Sequence, residues 1–284
     1  MQIHPSLDDR LDLHDCKPSI RAAAYEDQIA AQETFGDPSA CPSTPILSFV
    51  VVAFQTREQL LRCLDALRQK TRQDIEVLLV DNGLDTDIRE RLRSYPLRYV
   101  RLKQNEGPAL ARNLGAALAR APWVAFIEDD GVLSLDYAAQ LHRIAHESPA
   151  AVAFRGRVLP PDDRPTATAP HYDLGPAPFP APPKCEGNLV IRRGDFLNVG
   201  GFEEDLFGGE GDVLGFRMVR FYGYALEQFQ YHPALLLYHA FFRDHQHLCD
   251  KMLRTHRMQY FLRLRYPDLI AYQKDYDALR PNGT

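Results

Sequence analysis

Three consecutive carboxylates, Glu128, Asp129 and Asp130, followed at once by Gly131, are the residues in this 284-residue chain whose types and spacing best suit chemistry. They close an apolar run, Trp123 to Ile127, whose β-branched and aromatic content reads as a strand buried on both faces. Neighbouring acidic side chains repel one another, so strand stability does not call for them. At the carboxyl edge of a strand their oxygens could hold Mg²⁺ or Mn²⁺ against the phosphates of a bound nucleotide. A solvated acidic turn would explain a lone triplet equally well. Two other apolar runs, however, end in the same manner, in Phe54-Gln55-Thr56 and in Asp81-Asn82-Gly83.

The elements that must position these groups alternate in type. Ile46–Phe54 reads as a central parallel strand. Thr56 and Gln59 then form a capping-box pattern, and Leu60, Leu64 and Leu67 recur at helical spacing, predicting a helix from about Arg57 to Gln69. Ile75–Val80 is a second strand, 85–94 a short charged helix, and Leu97–Leu102 a third strand. Asn105-Glu-Gly-Pro-Ala-Leu-Ala-Arg-Asn-Leu-Gly115 follows, with Pro108 suited to the first turn of a helix that runs to Arg120. Such alternation implies a parallel sheet with right-handed crossovers, and ligands bind beyond the carboxyl ends of its strands. The three polar strand ends should therefore converge on one crevice, where Arg112 and the helix start near Gly107 would meet an anion.

Composition sets the outer bounds. With 45% hydrophobic and 25% charged residues the chain can bury a substantial core. A net charge of −5 gives no reason to expect nucleic acid as a partner. No apolar run reaches bilayer length, and the start of the chain lacks the basic-then-apolar order of a signal peptide. Cys16, Cys41, Cys63, Cys185 and Cys249 are scattered without metal-site spacing, which suits reduced thiols and a cytoplasmic setting. Residues 1–44 read as an extension and linker, with eight acidic residues against three basic ones and only 20–24 and 28–31 faintly helical. Their composition leaves open whether they wrap the domain or stay apart. Few apolar groups there are available for burial, so removing 1–42 is expected to leave the core folded.

The order of these segments resembles the GT-A fold glycosyltransferases of the family 2 type. The matching features are the first strand with its short polar loop, the Val-Asp-Asn-Gly turn at 80–83, the 105–115 segment, and the acidic triplet in the place of the family's Asp-x-Asp. Downstream, Gly187-Asn-Leu-Val-Ile-Arg-Arg-Gly-Asp-Phe-Leu-Asn-Val-Gly-Gly-Phe202 is similar to the segment between donor and acceptor sites. Phe207-Gly-Gly-Glu-Gly-Asp-Val-Leu-Gly-Phe-Arg217 resembles the helix start that bears the catalytic acid, and Leu237-Tyr-His239 the place of a metal-binding histidine. The resemblance covers roughly residues 46–240.

It implies an α/β fold with a mostly parallel, Rossmann-like sheet flanked by helices, a catalytic domain over 45–242 and a helical extension over 243–284. It further implies transfer of a sugar from a nucleotide-sugar donor to an acceptor hydroxyl in glycan, polysaccharide or glycolipid synthesis, with inversion, and a divalent cofactor, Mn²⁺ or Mg²⁺. By this resemblance Asp81, Asn82, Arg112, Glu128 and Asp129 contact the donor, with Phe54, Gln55 and Thr56 beside its base or ribose. Asp130, Glu128 and His239 hold the metal, and Glu210 or Asp212 takes the acceptor's proton. Asn188 and Gly209 fall on the acceptor side. The chain departs from the family at Gly211, where an aspartate is usual, and at Gln55, where an asparagine is common. Two alternatives therefore stay open: a nucleotide-sugar-binding protein without turnover, and a nucleotidyltransferase, although Phe54-Gln-Thr-Arg57 lacks the glycines and lysine of the latter's loop.

The remaining segments are less specific. The proline-rich insert 158–184 reads as a stiff loop. Its His171-Tyr172-Asp173 offers groups suited to a sugar or aromatic acceptor, or is plain solvated loop. His245-x-His247 with Asp244 completes no zinc spacing. Residues 248–265 mix apolar and basic side chains, fitting either a helix lying on an anionic membrane or one packed on the domain with its arginines in water.

Overall fold

A sheet covered by helices on both faces needs strands apolar on both sides, and the chain supplies several. The computed structural model describes residues 17–37, 42–68, 74–162, 169, 171–184, 187–242 and 244–280. In chain order these form β1 (Ile29–Phe35), β2 (Leu47–Ala53), α1 (Glu58–Arg68), β3 (Ile75–Asp81), α2 (Thr86–Leu92), β4 (Leu97–Leu102), α3 (Pro108–Leu118) and β5 (Trp123–Glu128). There follow β6 (Val132–Leu133), α4 (Tyr137–Glu147), β7 (Ala153–Leu159), β8 (Phe179–Pro180), β9 (Asn188–Arg192), α5 (Arg193–Asn198), α6 (Glu210–Tyr222), β10 (Phe229–Tyr238), α7 (His245–Arg265) and α8 (Leu269–Ala278). Cys16, Cys41, Cys185, Gln69 and part of the proline-rich insert lie outside the described residues.

The strands join in the order β1-β4-β3-β2-β5-β9-β7-β10-β6, with β8 pairing β10. From β4 to β5 the pairing is parallel, as the alternating pattern predicts. Strand β9 then runs antiparallel between β5 and β7. Period-2 alternation divides the core. Phe49, Val51, Leu79 and Ile127 face α1, α2 and α4, while Val50, Leu78, Val80 and Phe126 face α3, α5 and α6.

Residues 17–37, the main described part of the extension, are packed against this sheet. The faint helical pattern at 28–31 gives way to strand β1, paired antiparallel with β4 from Ile29↔Leu102 to Phe35↔Leu97. Phe35 is buried and stacks on Tyr99, ring centroids 4.6 Å apart. Tyr25 is buried and donates to Glu204 at 2.8 Å, and Lys17 pairs with buried Glu203 at 2.6 Å. These contacts count against the expectation that removing 1–42 leaves the core folded. Deletion through residue 37 should lower the thermal midpoint and promote aggregation, because it bares the edge of β4. Within the full chain, Phe35→Ala should cost ~3–5 kcal/mol in urea unfolding. An unchanged midpoint in the deletion would show that β1 contributes nothing to the packed structure.

Candidate active site

In-register parallel pairing brings three strand ends to one level: Ala53 lies opposite Asp81, and Val52 opposite Glu128. One carboxylate ties the loop after β2 to the turn after β5. Asp129 Oδ2 accepts from the Phe54 amide at 3.1 Å and from the Thr56 hydroxyl at 2.6 Å. Thr56, which the sequence places in a capping box, thus sends its hydroxyl hydrogen across the crevice. Between them Gln55 has φ +54°, the only positive φ at a non-glycine residue among those described. Backbone strain of this kind persists only where surrounding contacts impose it. The Phe54 ring is left 41% exposed, and a Cβ at Gly83 would lie 3.0 Å from it, so glycine there lets the ring rest on the 81–83 turn. Burial, then the charge of Asp130, push the Asp129 carboxyl up to about 7 against the hydrogen bond from Thr56.

The rest of the triplet is divided between two partners. Asp130 Oδ1 meets His239 Nε2 at 3.0 Å. Burial would favour their neutral forms, yet the bond between them wins, holding Asp130 below and His239 above their ordinary values. Glu128 Oε1 instead lies 3.4 Å from the largely buried Arg112 of α3. A Cβ on Gly187 would overlap the Glu128 carboxyl, so that close approach requires glycine. Among the described residues, no three His, Cys, Asp or Glu side chains cluster closely enough to hold a metal by themselves.

The proline-rich insert comes to the same place. The Tyr172 ring lies 6.0 Å from His239, 4.7 Å from His171 and 5.4 Å from Phe241. A cavity of about 60 Å³ is lined by Glu128, His171, Tyr172, Gly187 and His239. Burial and the charges of Arg155, Lys184 and Lys251 push His171 down to about 4, so its ring is neutral near pH 7. Helix α7 adds cations to this region. Lys251 Nζ donates to the Phe241 carbonyl at 2.6 Å, and the Arg254 guanidinium sits 4.2 Å from the centroid of the Phe207 ring. Their i,i+3 spacing was the available signal, but nothing local in sequence says what lies beneath it.

The two candidate acids of α6 have different surroundings. Glu210 opens the helix, is 4% exposed, and accepts from the Gly208 amide at 2.9 Å. Its charge is the main one opposing the effect of burial on Arg254. Asp212 is fully buried and is held instead by Gln273 of α8 at 2.9 Å and Lys184 at 3.2 Å.

Residues 48–196, just over half of the chain, match the model of glycosyl transferase family 2. The chain belongs to that family. The chain is 31% identical over 225 residues to a validoxylamine A glucosyltransferase of Streptomyces hygroscopicus subsp. jinggangensis, covering 64% of this chain and 53% of that protein. It is 33% identical over 106 residues to the putative glycosyltransferase EpsH of Bacillus subtilis, covering 36% of this chain and 31% of that protein. The chain thus spans just under a third to about half the length of these relatives. The fold is that of the mannosyltransferase PcManGT from Pyrobaculum calidifontis, solved with GDP-Man and Mn²⁺: TM-score 0.61, 16% identity, 89% of this chain and 74% of that one. S. aureus TarS 1-349 with UDP-GlcNAc is also similar, with TM-score 0.56, 17% identity, and coverage of 72% and 60%.

Several positions expected to touch ligand are spent inside this family 2 domain. Asp81 is fully buried: Oδ1 accepts from the Gly83 and Leu84 amides at 2.9 and 2.7 Å, and Oδ2 from Arg89 at 2.8 Å and from the Tyr99 hydroxyl. Four donors fill its acceptor sites, so it shapes the turn and does not offer an oxygen to the donor. Asn82 is buried and accepts from the Glu106 amide at 2.9 Å, joining this turn to the approach of α3. Asn188 is fully buried, accepting from Tyr137 and donating to the Arg157 and Leu235 carbonyls, which removes it from the acceptor side. Gly209 serves as the left-handed cap of α6, φ +84°, against Leu262. Asp244, beside the two histidines, caps α7 by accepting from the His247 amide at 2.8 Å. That helix buries Leu262 and half-buries Met258, as in the packed reading, while Met252, Leu253, Tyr260 and Leu264 stay exposed. Among the described residues no helix is long and apolar enough to cross a membrane. Asp81→Ala should lower stability by ~3–5 kcal/mol in urea unfolding, since it leaves Arg89 without its buried partner. A variant of unchanged stability that has lost nucleotide binding would return Asp81 to the donor site.

Proposed function

We propose that the chain is a metal-assisted glycosyltransferase that moves a sugar from a nucleotide-sugar donor to an acceptor hydroxyl. The observation that carries this reading is the Asp130–His239 pair beside Glu128 and Arg112, at the carboxyl edge where ligands of parallel sheets bind. Relatives named as glycosyltransferases, and similar folds solved with UDP-GlcNAc and with GDP-Man and Mn²⁺, support it. In this reading the exposed Phe54 ring, with Gln55 and Thr56, receives the base or ribose. Arg112 exchanges part of its contact with Glu128 for the donor's phosphates, and Asp129 keeps the loop in place.

Asp130 offers the carboxylate oxygen that Mn²⁺ and Mg²⁺ favour, and the His239 imidazole beside it would be tolerated better by Mn²⁺ than by Mg²⁺, which keeps to oxygen ligands. Asp130 and His239 are the residues that would hold the ion, and Glu128 is drawn toward Arg112 instead. A bound divalent cation would neutralise charge on the departing nucleotide. Near the start of α6 Glu210 accepts the hydroxyl proton as the acceptor oxygen bonds to the anomeric carbon and the bond to the diphosphate breaks. Direct attack of this kind inverts the anomeric centre. His171 and Tyr172 form the acceptor side of the small cavity.

Glu210→Gln should keep nucleotide binding and lower turnover by ~10²–10⁴-fold, the usual contribution of a positioned general base. Donor affinity and nucleotide release from UDP-, GDP- and dTDP-sugars measure both quantities, and near-normal turnover would sink the assignment. Because Gly211 stands where the family carries an acid, an unmodified protein that binds donor without any release would favour the binding-protein alternative. For the metal, EDTA should abolish donor binding and Mn²⁺ or Mg²⁺ restore it, with Asp130→Ala mimicking the chelated state. Full activity in excess EDTA would remove the ion from the mechanism.

A further inference from the structure

A second cavity, of about 190 Å³, lies between the proline-rich insert and α8, and His171 is part of the wall of both this cavity and the smaller one beside His239. It is far larger than the ~10–15 Å³ that one water needs. Its polar floor is Asp212. One carboxylate oxygen is engaged by Gln273 and Lys184, while Oδ1 is buried with no hydrogen-bond partner among the described residues. A buried acceptor left unsatisfied is costly, and here it belongs to a fully buried side chain on a cavity wall.

Charge in the lining selects the kind of ligand. Lys184 neutralises Asp212, and Arg280 lies 3.6 Å from Asp277. Arg155 is buried and donates to the His171 and Pro182 carbonyls. A cationic ligand would face Lys184 and Arg155, and an anionic one would face Asp212 and Asp277. A neutral ligand that donates hydrogen bonds fits both. Apolar walls at Phe179 and Pro182 suit the C–H face of a ring whose hydroxyls reach Asp212. We infer that this cavity is a distal saccharide subsite, holding one sugar residue of an acceptor whose next residue enters the cavity beside His239. The acceptor is then at least a disaccharide. This rests on the glycosyl-transfer reading for its purpose, though not for the binding itself.

The probe is an array of defined mono-, di- and trisaccharides, followed by calorimetric titration of the strongest hit. The unmodified protein should bind at least one disaccharide, and more tightly than either of its component monosaccharides. Asp212→Asn should weaken that binding about tenfold or more, as expected for loss of a charge-assisted hydrogen bond. Gln273→Ala, on a partly exposed position, should weaken it several-fold and decides the matter if Asp212→Asn fails to fold by circular dichroism. A blank array, equal affinity in the folded variants, or a monosaccharide bound as tightly as the disaccharide overturns the subsite. Nucleotide-sugar binding by the unmodified protein is measured separately. Saccharide binding without it would keep the subsite and sink the transfer reading, and the reverse would overturn the subsite alone.

Discussion

The parallel pairing of β2 with both β3 and β5 is the constraint on which the site depends. Seven residue pairs hold β2 to β3 and six hold it to β5, so their carboxyl ends cannot slide apart without unpairing the centre of the sheet. Because side chains alternate along a strand, a one-residue slip would also exchange the two cores. The loop at Phe54–Thr56 and the triplet at Glu128–Asp130 are thereby held within reach of one hydrogen-bonded carboxylate, Asp129. The Phe54–Thr56 part of the proposed donor site follows from that fixed adjacency.

Buried charge in this protein has two uses, and burial alone does not tell them apart. Glu76, near the start of β3, is surrounded by Ser48, Arg98 and Arg120, whose hydrogen bonds outweigh burial and keep its carboxyl below the usual range. Asp81, at the other end of the same strand, is satisfied by Arg89, Tyr99 and two amides. These are self-contained networks in which the charged oxygens already have partners. Asp130 and Asp212 differ. The first faces a histidine beside a cavity, and the second keeps one oxygen unpaired on a cavity wall. For Asp212 it is the unpaired oxygen, more than acidity or burial, that separates it from the saturated Glu76 and Asp81.

Segments distant in sequence complete the crevice. The insert brings His171 and Tyr172 to His239, and α7 lays Lys251 and Arg254 over Phe241 and Phe207. On the opposite side of α6, α8 supplies Gln273 to Asp212. A helical extension joined only by local contacts would have no such reach. Here Leu262, Leu269, Tyr272 and Tyr276 are part of the core that also holds Val213 and Leu214 of α6. The last two helices and α6 therefore share one core.

The sequence by itself determined the parallel centre of the sheet, its helices and the acidic strand end, because burial on two faces and helical periodicity leave patterns within short windows. It also marked His239 and Glu210 through their resemblance to family positions. What it could not determine was which polar groups are spent internally. Asp81 and Asn188 sit in segments that look like ligand contacts, and only the neighbours brought by other strands show them saturated. Strand β1 was equally hidden, since Ile29–Phe35 alternates weakly and has meaning only beside the open edge of β4. The different surroundings of Glu210 and Asp212 were likewise decided by tertiary structure. Two residues apart on a helix, they point about 200° apart around its axis, and the elements packed on each side choose what each one meets.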